Sequence, residues 1–178
     1  MKNIVLIGPS GSGKGTIAEF LVRDFGFTHV STGDLFRKHR EERSVFWEKV
    51  KPYYDSGKWV PDSLTDEMLF NHIRGMDKII LDGYPRTLGQ AKVLDKNIDI
   101  DVALLLDVSD EIVFNRLMSR ARDDDSEIII RERLRSFHLS AKDIKRYYRE
   151  QGKLVEVTQE HEIGKEEVYK MVRSALGV

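Results

Sequence analysis

Apolar residues along this chain recur in two patterns, short unbroken runs and longer stretches at helical spacing. Residues 2–7 end in four consecutive apolar positions, Ile4 to Ile7, too short for a helix, and predict a buried strand. Residues 8–13, Gly-Pro-Ser-Gly-Ser-Gly, fit no regular element and predict a loop. From Lys14 onward Ile17, Ala18, Leu21, Val22 and Phe25 share one helical face, and Gly26 is placed to end that helix. Phe27 to Val30 predicts a second short strand, with Ser31 or Thr32 capping a helix that starts near Leu35. Ser44 to Tyr54 predicts a helix with Phe46, Val50 and Tyr54 on one side, closed by Ser56-Gly57. Pro61-Asp62-Ser63 opens another through Leu64, Met68, Leu69 and Ile73. Lys78 to Leu81 and Val102 to Val108 are β-branched or aliphatic runs that predict buried parallel strands. Two helical patterns follow Asp110, the second with Ile130, Leu134, Phe137, Ala141 and Ile144 on one stripe. Leu154 to Val157 predicts a last strand and Glu166 to Leu176 a closing helix. Strands alternating with helices predict an α/β fold, a central five-stranded parallel sheet flanked by helices.

Composition narrows the class. At 178 residues, with 40% apolar and 33% charged residues, the chain has the make-up of one globular unit. Its longest apolar runs, Ile4 to Ile7 and Ala103 to Leu106, are far below the ~20 residues that cross a bilayer, so no membrane association and a cytosolic address are expected. The absence of cysteine excludes disulfides and thiolate metal sites and fits a reducing compartment. A net charge of −1 argues against general nucleic-acid binding, yet arginines concentrate between Arg116 and Arg149. That cluster reads either as a solvated helix laced with pairs such as Arg131 or Arg135 with Glu127 and Glu132, or as a binding surface for a small polyanion. The five histidines show no paired metal-ligand spacing and are expected to be structural or exposed.

The glycine loop carries the strongest chemical signal. Gly8-Pro9-Ser10-Gly11-Ser12-Gly13-Lys14-Gly15-Thr16 follows a predicted strand and opens a predicted helix, the context of a phosphate-binding loop. Glycines there let successive N–H groups turn inward at a positive helix terminus, and Lys14 adds a mobile charge for the β- and γ-phosphates. The general pattern has Ser or Thr directly after the lysine, whereas here Gly15 intervenes before Thr16.

GPSGSGKGT resembles the signature of adenylate kinases and related nucleoside monophosphate kinases, where a Gly-Thr pair after the lysine is usual. The resemblance continues through Ser31-Thr32-Gly33-Asp34-Leu35-Phe36-Arg37, Gly57-Lys58-Trp59-Val60-Pro61-Asp62, and Leu81-Asp82-Gly83-Tyr84-Pro85-Arg86-Thr87 with Gln90. It closes with Arg116, Arg120, Arg122-Asp123-Asp124-Asp125 and Arg133, in family order and over most of the chain. It implies a P-loop nucleoside triphosphate hydrolase-like fold in one unit, 1–178, with a monophosphate-binding insertion at about 31–60 and a much reduced lid at about 120–124. The implied reaction moves the terminal phosphoryl group of ATP onto AMP, with Mg²⁺ as cofactor. By the same likeness Gly11, Ser12, Gly13, Lys14, Gly15, Thr16, Arg116 and Arg120 would bind ATP. Thr32, Arg37, Lys58, Val60, Gly83, Arg86 and Gln90 would bind AMP. Lys14, Arg86, Arg122 and Arg133 would be catalytic, and Asp82 would hold Mg²⁺ through water.

Elementary chemistry weighs these roles. Asp82 ends a predicted parallel strand, where such sheets bind ligands, although Asp is also a common helix cap. Arg86 alone would read as a surface ion pair. Arg122 and Arg133 are eleven residues apart, about three helical turns, and face one side if the helix starts near Asp125. The aspartates 123–125 lack the glycine and distant glutamate of a calcium loop, and capping or ribose contact is expected of them. Trp59 has two readings, stacking on a base or ordinary packing. Two features depart from the family pattern: only Ala121 separates Arg120 from Arg122, where a lid segment is usual, and Tyr84 stands where phenylalanine is more usual. Alternatives to AMP phosphorylation are a UMP/CMP or deoxynucleoside monophosphate kinase and a non-catalytic P-loop nucleotide binder. A monomer is expected.

Overall fold

The computed structural model describes residues 2–120 and 125–178. Five parallel strands form the centre: β1 (Ile4–Ile7), β2 (Thr28–Ser31), β3 (Ile79–Asp82), β4 (Val102–Val108) and β5 (Leu154–Gln159), in the order β2-β3-β1-β4-β5. The central strand β1 lies between β3 and β4, with Val5 opposite Leu81 on one side and Ala103 on the other. Both faces of the sheet are covered, which is why these strands read as unbroken apolar runs. Ile4, Leu6, Ile80, Leu104 and Leu106 pack on one face against α1 (Lys14–Phe25) and α8 (Lys165–Leu176). Val5, Ile7, Ile79, Leu81 and Leu105 pack on the other face against α4 (Asp62–Ile73), α5 (Leu88–Asn97) and α7 (Glu127–Glu150). The alternation of side chains along each strand thereby builds two cores, each from one parity of positions.

A third cluster, Phe36, Trp47, Val50, Val60 and Met68, joins α2 (Thr32–Glu41) and α3 (Val45–Asp55) to α4, and gives residues 32–60 apolar packing of their own. A fourth, with Val113, Leu117, Ile130 and Leu134, holds α6 (Asp110–Arg120) to α7. No described helix is long and apolar enough to cross a membrane.

Local signals account for most element ends. Ser31, Ser44, Thr87 and Ser126 each accept a backbone N–H from the first turn of α2, α3, α5 and α7 respectively. The Ser31 cap starts α2 at Thr32, three residues before the start expected near Leu35. Hydrophobic periodicity did not mark α5, because its inward face carries Gln90 beside Ala91 and Leu94. The helix after β3 is capped by Thr87, so Asp82 is not a cap. Helix α7 begins at Glu127 with Ser126 as its cap, two residues after Asp125 and as expected.

Candidate active site

One cavity of about 630 Å³ opens at the C-terminal end of the sheet, where β1 and β3 deliver their loops, within the size range of ligand pockets. Among the described residues, every candidate named from the sequence lines it: residues 11–16, Arg116 and Arg120; Thr32, Arg37, Lys58, Val60, Gly83, Arg86 and Gln90; Asp82 and Arg133. Arg122 lies outside the described residues.

The floor is the turn between β1 and α1. Gly11 has φ +86, and a Cβ there would sit 2.8 Å from Leu117 Cγ, so the turn requires glycine. Lys14, at the first position of α1, folds its ammonium back over the turn and donates to the carbonyls of Gly8 (2.9 Å) and Pro9 (2.8 Å). Burial pushes the Lys14 ammonium below its ordinary value, with Arg86 and Arg120 adding to the effect and Asp82 opposing it. Asp82, the last residue of β3, lies 3.9 Å from Lys14 Nζ. Burial alone would raise its carboxyl, but Lys14, His29 and Arg86 outweigh burial and hold it below the usual carboxylate range.

His29 was expected to be structural or exposed, yet its Nε2 lies 3.5 Å from Asp82 Oδ2 and it lines the cavity. Strand register supplies the missing signal: β2 pairs Ser31 with Asp82, which sets His29 two residues back beside β3.

Gly83, at φ +80, turns the chain out of β3 so closely that a Cβ would be 2.6 Å from Thr32 Oγ1 and 3.0 Å from Arg86 Nη2. Its carbonyl accepts from Thr32 Oγ1 (3.0 Å) and from Arg86 Nε (2.7 Å). Arg86 does not make the surface carboxylate pair that its type first indicates; its Cζ lies over the Trp59 ring, 4.4 Å from the centroid. Burial, with Arg133 adjacent, pushes Arg86 down to about 10.

Gln90 is 2% exposed and its amide orientation is fixed. Oε1 accepts from the Arg86 backbone N–H (2.6 Å) while Nε2 donates to Asp62 Oδ1 (2.9 Å), and Asp62 Oδ2 also accepts from Thr87 Oγ1 (2.6 Å). One N–H and one lone pair of the amide stay outside these bonds. Arg37 pairs with Asp34 one helical turn back, Val60 is buried in the third cluster, and Lys58 is exposed.

Just before α7, Asp125 is neither a cap nor an exposed ribose contact; its side chain is 0% exposed and joins two arginines. Arg120 donates to it through Nε (2.8 Å) and Nη2 (2.9 Å), and Arg133 through Nη1 (3.2 Å). Arg133 also lies 5.7 Å from the Tyr54 ring centroid. The arginine cluster divides in two along α7. Arg131 and Arg135 are exposed and pair along the helix with Glu127 and Glu132, while Arg133 on the same helix turns inward. Arg116 reaches the cavity rim tied to Glu162 (2.7 Å) and Gln159 (3.1 Å), with a 3.4 Å contact to the Gly11 carbonyl.

Comparison with known proteins agrees with this geometry. A family model described as Adenylate kinase matches residues 6–153. An adenylate kinase of Malacoplasma penetrans is 35% identical over 191 aligned positions covering 89% of each chain. One of Mycobacterium tuberculosis is 38% identical over 161 positions, covering 86% of this chain and 89% of its own. One of Ruminiclostridium cellulolyticum is 34% identical over 214 positions, covering 98% of this chain and 99% of its own.

Proposed function

The chain belongs to the adenylate kinase family, and from that membership we propose that it moves the terminal phosphoryl group of ATP onto AMP, giving two ADP, between the glycine turn and the surrounding cations. It is an ATP-dependent nucleoside monophosphate kinase. The observation that carries the detailed reading is the convergence of Lys14, Arg86, Arg120 and Arg133 on one cavity at the start of α1. The turn from Gly8 to Thr16 would take the ATP phosphates, with Arg116 and Arg120 at their rim. Thr32, Arg37, Gly83, Arg86 and Gln90, with the backbone at Lys58 and Val60, would take AMP. Arg122 is assigned beside Arg133 by sequence likeness alone. Residues at about 31–60 and about 120–124 serve as the monophosphate-binding and reduced closing segments of one unit, 1–178.

Transfer between two nucleotides needs no general base, because the attacking oxygen belongs to a phosphate already ionised near neutral pH. The protein's work is to hold the two phosphates in line and to place fixed cations around the charge that spreads in the transition state. Lys14 acts from the turn, Arg86 from the loop after β3, and Arg133 from α7. Mg²⁺ would arrive with ATP. Among the described residues no cluster of three His, Cys, Asp or Glu side chains is present that could hold a metal ion. Asp82 fits it: a buried carboxylate held ionised beside Lys14, able to order water around the ion. When bound, the metal would neutralise phosphate charge. The reaction is assigned to a cytoplasmic monomer, in keeping with a cysteine-free sequence.

A monophosphate panel with ATP and Mg²⁺ tests the reading. ADP formation should be fastest with AMP. Faster turnover of UMP, CMP or dCMP would move the acceptor assignment, and ATP binding without transfer to any monophosphate would overturn catalysis by this cage.

A further inference from the structure

Arg86 is a half-buried cation with no carboxylate in direct contact, Asp82 acting on it only from a distance. Among the described residues no Asp or Glu oxygen lies within ion-pair distance of it; its side chain makes one hydrogen bond, Nε to the Gly83 carbonyl at 2.7 Å. Arg133 nearby opposes its charge. A guanidinium in that position needs a neutral group that favours positive charge, and the Trp59 ring face, 4.4 Å from Cζ, is one. Trp59 stands between α3 and α4, in the 32–60 segment, whereas Arg86 stands in the loop after β3, so the contact joins two separate parts of the cavity wall. The indole is not there for its N–H: Nε1 is buried without a hydrogen-bond partner. Its face is what the arginine uses.

We propose that Trp59 is a positioning residue for phosphoryl transfer: its ring face fixes the plane of the Arg86 guanidinium, so that the edge not bonded to Gly83 is presented to the phosphoryl group of the monophosphate. This rests on the assignment of Arg86 to that phosphoryl group. Stacking holds one face and the Gly83 carbonyl one edge. Among the described residues Nη1 and Nη2 make no hydrogen bond, which leaves a planar fork of the kind that binds two phosphate oxygens.

The test compares Trp59→Phe, Trp59→Leu, Arg86→Ala and the double variant Trp59→Leu/Arg86→Ala, with thermal unfolding to show that each is folded. Trp59→Leu should lower kcat about tenfold or more while KM for AMP moves less than about threefold. Trp59→Phe, which keeps an aromatic face, should stay within about threefold of the unaltered protein. Added to Arg86→Ala, Trp59→Leu should change kcat less than about twofold, because the ring then has no cation to orient. Three results would each overturn the proposal: Trp59→Phe as impaired as Trp59→Leu, which makes the N–H the working group; multiplying losses in the double variant, which put the ring on the substrate; or an unimpaired Trp59→Leu. A second readout separates this inference from the function it rests on. With Trp47→Phe as background, Trp59 is the sole tryptophan, and Arg86→Met should shift its emission even if no monophosphate is turned over. Unchanged emission defeats the stacking itself, whereas absent turnover with shifted emission defeats the parent assignment and with it the role in transfer.

Discussion

Replacing Arg86 by methionine should separate stability from activity. Burial and Arg133 push the guanidinium from its ordinary value down to about 10. At about 1.4 kcal/mol per tenfold in proton affinity, carrying that charge in the fold costs about 3 kcal/mol, an upper figure because the group faces a cavity that water can enter. Against this, methionine loses a charge-assisted hydrogen bond to Gly83, about 1.5–3 kcal/mol, and the ring contact, about 1–2 kcal/mol. The Gly83 carbonyl keeps Thr32 Oγ1 as a donor and is not orphaned, and the thioether recovers part of the contact with Trp59. The opposing terms nearly cancel, so Arg86→Met should change unfolding free energy by no more than about 1 kcal/mol near neutral pH while lowering the transfer rate at least about a hundredfold. Urea unfolding and a coupled ADP assay measure the two. The pH dependence carries the sharper sign. A cation whose folded value lies below its unfolded one destabilises the fold at all pH below the folded value, and the penalty lifts as pH rises from about 10 towards the unfolded value. The unaltered protein should therefore gain on Arg86→Met by about 1.4 kcal/mol between about pH 8 and about pH 11. A loss above about 3 kcal/mol in Arg86→Met, or a difference that stays flat over that range, would refute the reasoning.

Other expectations follow from the same geometry. Lys14→Ala should lower kcat at least about a hundredfold with a nearly unchanged unfolding midpoint; full activity would remove the ammonium from the site. Because burial lowers the Lys14 ammonium, the alkaline limb of kcat/KM, which reports the free enzyme, should begin below the ordinary lysine value, and a profile flat through that value would contradict the burial argument. Gly83→Ala combines φ +80 with a Cβ 2.6 Å from Thr32 Oγ1 and should cost about 2 kcal/mol or more by chemical denaturation, with activity lost alongside. Asp125→Asn leaves Arg120 and Arg133 facing each other without their shared carboxylate and should lower stability by about 2–4 kcal/mol, with inorganic tripolyphosphate restoring part of the loss in a thermal-shift assay. Equal losses with and without the polyanion would show that those arginines do not serve as an anion site.

Much of the architecture was written in local pattern, because strands buried on both faces must be apolar throughout and helices on a sheet must carry a stripe. The sequence β1, glycine loop, α1 is the clearest case: periodicity changes on either side of a loop that only glycine could turn. Helix α5 escaped because its buried face spends a position on Gln90, whose amide is satisfied by Asp62, twenty-eight residues away, and by the Arg86 backbone. Motif likeness marked the residues that now line the cavity, but it could not show their partners. That Arg116 pairs with Glu162 and that His29 faces Asp82 are facts of register and packing, set by contacts between distant segments, and that Asp125 bridges Arg120 to Arg133 is a fact of how the chain turns between α6 and α7. Trp59 was visible as an aromatic beside the monophosphate loop; its contact with Arg86 belongs to neither of its two readings and came only from the position of Arg86.

The cations of this cavity are held by different devices, and the differences follow from where each sits. Lys14 is flexible and sits on the turn itself, so two backbone carbonyls restrain it and Asp82 faces it at 3.9 Å, a separation that leaves the ammonium able to swing. Arg120 and Arg133 flank the short link between α6 and α7, and one fully buried carboxylate holds both, doing by a local chelate what a longer segment would do by packing. Arg86 alone is held by neutral groups, a carbonyl at one edge and a ring on its face. Neutral restraint keeps its charge available, and burial lowers its proton affinity as it does that of Lys14. Of the three arrangements it is the one in which an incoming phosphoryl group displaces no protein carboxylate, so its attraction for that group is offset least by what must first be broken.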